Sequence, residues 1–245
     1  MSLIYIPRNK EVNKEPLVDD ITSHGNASLA EEALTKTLKD LGLDYLDLYL
    51  MHWPVGISPD GTLSGDDYVE TWKSMISLPK QKARQIGICN FAPEQLTKLI
   101  GKTGVKPFSH QMEMHPYLPQ TAWVAAHKSL GIAITAYSPL GNSNPGYKHD
   151  FPPSLLRNEI LVDIAGRTGC TTAQIALKWG MERGTSVIPK SAHEDHIVEN
   201  FKAGECELSA GDLKKVDGLK AKYLTRFLNP SKQWGVKLFE GLEGV

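Results

Sequence analysis

Apolar residues recur along this chain with two alternating spacings. From Ser28 the spacing is helical. Leu29, Ala33, Leu34, Leu38 and Leu41 return every three or four residues, Ser28 with Glu31 matches a capping box, and Gly42 supplies the stop. The next apolar run, Tyr45 to Met51, is short and unbroken and halts at His52-Trp53-Pro54. That is the pattern of a strand covered on both faces. The alternation then repeats. A helix over 68–76 precedes a strand over 85–89, a helix over 93–100 a strand over 109–114, and a helix over 122–130 a strand over 132–137. Two helices, 159–166 and 172–182, precede a strand at 186–188, and helices over 194–202 and 210–221 close the pattern. The first 27 residues are less regular: Pro16 interrupts any helix, His24-Gly25-Asn26 reads as a turn, and a sixth strand is read over Val18 to Ser23.

Strands alternating with helices imply a parallel sheet joined by crossover helices. Two architectures of this class are common. A Rossmann domain calls for G-x-G-x-x-G after an early strand, and the chain has none. A (β/α)8 TIM barrel suits a chain of 245 residues and places its functional loops after the strands, where the longer loops of this sequence fall. No long linker or low-complexity segment divides the chain. Residues 1–245 are therefore read as one domain, with 1–27 as an atypical start and 222–245 as a C-terminal tail.

Composition removes several classes of function. Hydrophobic residues make up 41% and charged residues 22%, an ordinary globular balance. Lys and Arg total 27 against 28 Asp and Glu, a net charge of −1, so there is no electrostatic pull toward nucleic acid or an anionic membrane. No run of about 18 apolar residues occurs, and Met1 to Lys10 lacks the apolar core of a secretion signal. A cytoplasmic location is expected. The three cysteines, Cys89, Cys170 and Cys206, form no C-x-x-C; their number suits a reducing compartment and argues against a disulfide framework or a cysteine zinc site.

The residues that follow each strand carry the chemistry. His52 and Trp53 follow the first, Cys89-Asn90-Phe91 the second, Glu113 and His115 the third, Tyr137-Ser138-Pro139-Leu140-Gly141 the fourth and Lys190-Ser191 the last. At the C-terminal face of a barrel these would supply a histidine, amide donors, an aromatic face and a cation beside a hydroxyl suited to phosphate. The stretches LDYLDLYLMHWP (43–54), KARQIGICNF (82–91), HQMEMHPYLPQ (110–120), ITAYSPLG (134–141), TTAQIALKWGMERG (171–184) and VIPKSAHEDHIVEN (187–200), in this order, resemble the aldo-keto reductase family. The tail NPSKQWGVKLFEGLEG (229–244) is similar to that of fungal members.

The resemblance implies a (β/α)8 barrel that uses NADPH to reduce aldehydes and ketones. It implies that Tyr137 stacks on the nicotinamide and that Asn90 and Gln111 hold the carboxamide. Cys89 stands where the family has serine, a better hydrogen-bond donor. Ser138, Leu140 and Asn142 would line the pyrophosphate path, Lys190 and Ser191 would meet the 2′-phosphate, and Glu199 and Asn200 would flank the adenine. His196 stands where the family has arginine, a permanent planar cation, so a weaker preference for NADPH over NADH is expected. His52 matches the family's carbonyl-orienting histidine, and Trp53 would shape the substrate pocket.

The family's remaining catalytic residues, a tyrosine acid, a lysine and an aspartate, are where this sequence departs. His24 in Ile21-Thr22-Ser23-His24 stands in the lysine position, no upstream aspartate is found, and Tyr5 is the nearest match to the tyrosine. Leu78 to Gln81 is shorter than the family's usual segment and lacks its glycine. These departures read as a barrel lacking its first βα units, with little or no turnover, or as an NADP-binding protein without catalysis. His193-Glu194-Asp195-His196 is read as a charged helix start rather than a metal site, and Cys170 as packed rather than reactive.

Overall fold

The computed structural model describes residues 27–56, 58, 62–65, 67–141 and 152–239. Tyr5, His24, Asn142 and the strand expected over Val18 to Ser23 lie outside these residues. The described chain divides into two compact units. The first holds the residues up to His110 together with those from Pro230, and the second holds Gln111 to Asn229.

The first unit begins with α1 (Ala27–Leu41). Its stripe Ala30, Leu34, Leu38 is buried, whereas Leu29 faces solvent. The helix already includes Ala27, so Ser28 lies inside it rather than at its cap. Strand β1 (Leu46–Met51) pairs in parallel with β2 (Ala83–Cys89), Leu46 facing Ala83 and Met51 facing Ile88. Between them, α2 (Tyr68–Ile76) is capped by Asp67, whose side chain accepts from the Val69 N–H, and buries Trp72 completely. Helix α3 (Pro93–Thr103) places proline in its first turn and ends on Gly104 at φ 69°, the left-handed stop that glycine allows. Strand β3 (Ser109–Glu113) starts in this unit. Gly87 is required where β2 passes β3, because a Cβ there would stand 2.4 Å from the Ser109 carbonyl oxygen and 2.6 Å from Leu50.

The second unit continues β3 and adds α4 (Thr121–Leu130), β4 (Ala133–Tyr137), α5 (Glu159–Thr168), α6 (Thr172–Glu182) and β5 (Ser186–Val187). Sheet neighbours follow chain order, β1-β2-β3-β4-β5. Its main core joins Tyr117, Leu155, Leu161, Ile164, Ile175, Trp179, Val216 and Leu219. Thr171 and Gln174 form a capping box on α6. Helix α7 (Glu194–Phe201) leads through a 3-10 turn (Lys202–Glu205) to α8 (Ala210–Asp217) and the short α9 (Lys220–Tyr223). The single helix expected over 210–221 is thus interrupted at Gly218, a residue with poor helix propensity that follows the last residue of α8. A last short helix, α10 (Ser231–Trp234), belongs to the first unit.

Cys170 and Cys206 form a disulfide, with Cα atoms 6.2 Å apart and a sequence separation of 36. This overturns the expectation drawn from the cysteine count and from reading Cys170 as merely packed. The two residues meet because α6 and the turn after α7 lie side by side, which cysteine spacing does not reveal. Cys89 remains a buried thiol.

Candidate active-site residues and family membership

In the first unit the ends of β1 and β2 meet through a side-chain bond: the Asn90 Nδ2 donates to the His52 carbonyl oxygen at 3.0 Å. Asn90 is buried at φ 61°, a left-handed conformation that asparagine tolerates better than most residues. Burial holds the His52 imidazole below its ordinary pKa, so the ring is uncharged near neutrality. Trp53 is buried beneath the tail. Its ring stands edge-on to Trp234 at 5.1 Å and lies 6.2 Å from Phe239, with Leu238 completing the cluster. His110, fully buried, accepts the Phe91 N–H through its Nε2 at 3.1 Å.

In the second unit Gln111 and Tyr137 are both partly exposed, at β3 and at the end of β4. Ser138 follows Tyr137 at φ 48°, and its carbonyl oxygen accepts the Gly141 N–H at 2.9 Å, so the chain turns sharply after the strand. Leu140 packs on the main core instead of standing free. Lys190 is exposed, and the Ser191 Oγ accepts the His193 N–H at 3.1 Å, which sets it at the start of α7. His196, Glu199 and Asn200 all lie on that helix. Glu199 is held by α6: the Thr171 Oγ1 donates to its carboxylate at 2.5 Å and the Gln174 Nε2 to its carbonyl oxygen at 3.0 Å. Glu194 and Asp195 occupy the first turn of α7.

A buried charge cluster was not singled out by sequence as a unit. Glu113, with no exposed surface, accepts from the His115 Nε2 at 2.9 Å and from the backbone N–H groups of Phe227 at 2.7 Å and Leu228 at 2.9 Å. Burial alone would raise its carboxyl, but the His115 bond, the charge of Arg226 and the Phe227 N–H together hold it below the ordinary range. Burial also depresses the Arg226 guanidinium, opposed by the charges of Glu113 and Tyr137. The signal available in sequence was a glutamate inside the apolar run MEM, since an unpaired carboxylate is not left buried. Nothing in the sequence marked its partners more than a hundred positions downstream. Among the described residues no group of His, Cys, Asp and Glu is arranged to hold a metal, and no helix is long and apolar enough to cross a membrane.

A model of the Aldo/keto reductase family matches residues 12–221. The chain belongs to the aldo/keto reductase family. An uncharacterized oxidoreductase of Schizosaccharomyces pombe is 42% identical over 228 residues, covering 86% of this chain and 68% of that protein. Aldo-keto reductase family 1 member A1 of Cricetulus griseus is 38% identical over 201 residues, covering 77% of this chain and 62% of its own length. The chain therefore spans about two thirds of the length of these relatives. Among solved structures, a Bombyx mori aldo-keto reductase in complex with NADP superposes with a TM-score of 0.81 at 32% identity, covering 89% of this chain and 70% of that one. Aldose reductase of Giardia lamblia gives the same TM-score at 31% identity, covering 89% and 76%. The α/β fold of TIM-barrel type expected from the strand–helix alternation is that of these aldo-keto reductases.

Proposed function

We propose that this chain is an NADP(H)-dependent oxidoreductase acting on a small aldehyde or ketone, or on the corresponding alcohol. The observation that carries the reading is the half-exposed Tyr137 at the end of β4, followed at once by the left-handed turn at Ser138, in a chain of this family. An aromatic face beside a turn whose backbone is already bent suits a planar ring linked to a diphosphate. A cation and a hydroxyl at the start of α7, Lys190 and Ser191, suit the 2′-phosphate. The residues thus fit the cofactor chemically.

When bound, NADPH supplies the hydride. Tyr137 offers the stacking face, and Asn90 and Gln111 hold the carboxamide, with Cys89 a weaker neighbour. Ser138, Leu140 and Asn142 line the diphosphate, Lys190 and Ser191 take the 2′-phosphate, and His196, Glu199 and Asn200 serve the adenine end. His52, uncharged at neutral pH, donates an imidazole N–H to the carbonyl oxygen and orients it, while Trp53 and the tail residues against it exclude water. Tyr5 is the candidate proton donor. His24 in the lysine position makes turnover slow, since a poorly activated general acid typically costs about 10²–10⁴ in rate.

His196 in place of arginine, with Glu194 and Asp195 in the same helical turn, weakens the phosphate's advantage. NADPH and NADH are expected to differ in affinity by less than about a hundredfold, about 2.7 kcal/mol. The test of function is loss of NADPH absorbance with a panel of small aldehydes and ketones. Substrate-dependent oxidation that falls when Tyr137 is replaced by alanine supports the reading. Stoichiometric binding with no oxidation by any carbonyl contradicts it and leaves a cofactor-binding protein without turnover.

A further inference from the structure

We propose that Cys170 and Cys206 are a reversible redox-modification site, exchanging with small or protein dithiols, whose oxidised form holds α7 in place and so tightens NADPH binding. The proposal rests on the cofactor reading of α7 given above.

Little packing holds α7. None of its eight residues is buried, and its apolar side chains Ile197, Val198 and Phe201 lie in solvent, Phe201 at 88% exposure. A helix of two turns with no packed face does not persist by propensity alone. Among the described residues its attachments are few. Thr171 and Gln174 at the start of α6 bond to Glu199. Lys178 Nζ donates to the Gly204 carbonyl oxygen at 3.3 Å, and Ala203 in the 3-10 turn is buried. The covalent attachment is the disulfide, which joins the residue before the α6 cap to the residue after that turn. The Cys206 sulfur also lies 3.8 Å from the Gln174 Oε1, on the side chain whose Nε2 holds Glu199.

The loop that the bond closes contains every adenine-side candidate: Lys190, Ser191, His196, Glu199 and Asn200. Cutting it leaves His196, Glu199 and Asn200 on a helix held by a handful of exposed or half-exposed hydrogen bonds and the buried Ala203 that follows it. Ordering that segment then becomes part of the cost of binding.

The two sulfurs are unequal. Cys170 is partly exposed, whereas Cys206 is 4% exposed. An incoming thiolate therefore reaches the Cys170 sulfur, forms a mixed disulfide there, and expels Cys206 as a thiolate, which takes up a proton. The second thiol of the reductant then attacks its own sulfur in the mixed disulfide and releases Cys170, which is protonated in turn. Two electrons and two protons pass to the chain, and the dithiol leaves as a disulfide. Oxidation by a disulfide reverses each step.

The test uses the intact 245-residue chain, prepared oxidised and after dithiothreitol. Alkylation followed by mass measurement counts the free thiols at Cys170 and Cys206, and NADPH titration with tryptophan fluorescence gives the dissociation constant of each form. Hydrogen exchange over 194–205 reports the helix directly. The expected result is labelling of both cysteines only after reduction, with faster exchange over 194–205 and a dissociation constant raised about tenfold. The double variant Cys170→Ser, Cys206→Ser is expected to match the reduced chain and to ignore dithiothreitol. Equal affinities in the two forms, within twofold, overturn the coupling while leaving the cofactor reading standing. Absence of NADPH binding in both forms overturns the cofactor reading and the coupling with it. Both cysteines labelling after treatment with an oxidised dithiol overturns the site itself.

Discussion

Replacing Glu113 tests the internal logic of the second unit most severely. Its carboxylate is fully buried and accepts three hydrogen bonds, two of them from the backbone of Phe227 and Leu228. Bonds to a charged group contribute about 1.5–3 kcal/mol each, but desolvating the carboxylate returns several kcal/mol of that gain. Alanine at this position removes the acceptor of the Phe227 and Leu228 N–H groups and of the His115 Nε2, and removes the negative charge that faces Arg226. Breaking a buried charge pair from one side costs about 3–5 kcal/mol, so Glu113→Ala is expected to lose about 4 kcal/mol. Glu113→Gln keeps the shape and one acceptor oxygen but turns an amide NH2 toward a donor; about 2–3 kcal/mol is expected. Urea unfolding followed by far-ultraviolet circular dichroism reads both, compared at equal slope.

The pH dependence of that loss is a second check. The folded carboxyl is held below its ordinary range. Its stabilisation is therefore complete above the ordinary carboxylate range and is lost as pH falls through and below it. The gap between the unaltered chain and Glu113→Gln should shrink in acid. A loss under about 1 kcal/mol for alanine, or a gap that does not change in acid, refutes the reasoning.

Three further outcomes follow from single sites. Gly87→Ala forces a Cβ to within 2.4 Å of the Ser109 carbonyl oxygen and should cost about 2 kcal/mol or more; an unchanged melting temperature would show that β2 and β3 do not approach so closely. Trp53→Ala opens the cluster with Trp234, Leu238 and Phe239 and should cost about 3–5 kcal/mol while exposing the tail to limited proteolysis, and a tail no more readily cut than before would contradict the packing. The His52 imidazole, measured by NMR titration, should titrate below the ordinary histidine value because burial opposes its charge; a value at or above it would remove the uncharged donor from the proposed chemistry.

Much of the fold was legible because its signals are local. The helices expected over 68–76 and 172–182 recur as α2 (Tyr68–Ile76) and α6 (Thr172–Glu182). The strand-end residues could be read because a parallel α/β arrangement sends every strand end the same way. What escaped depends on long-range closure. Glu113 finds its donors at Phe227 and Leu228, Cys170 finds Cys206 across two helices and a strand, and Trp53 finds Phe239 near the far end of the chain. No periodicity carries such pairings. The helix expected over 210–221 ends at Asp217, because helical spacing alone does not mark the interruption at Gly218.

The central claim is that this chain binds NADP(H) through Tyr137 and the residues around α7. Titration of the folded chain with NADPH, following tryptophan fluorescence, tests it most directly. The account predicts saturable quenching, weakened by Tyr137→Ala and, for NADPH more than NADH, by Lys190→Ala. Folded protein whose fluorescence does not respond to NADPH would contradict it.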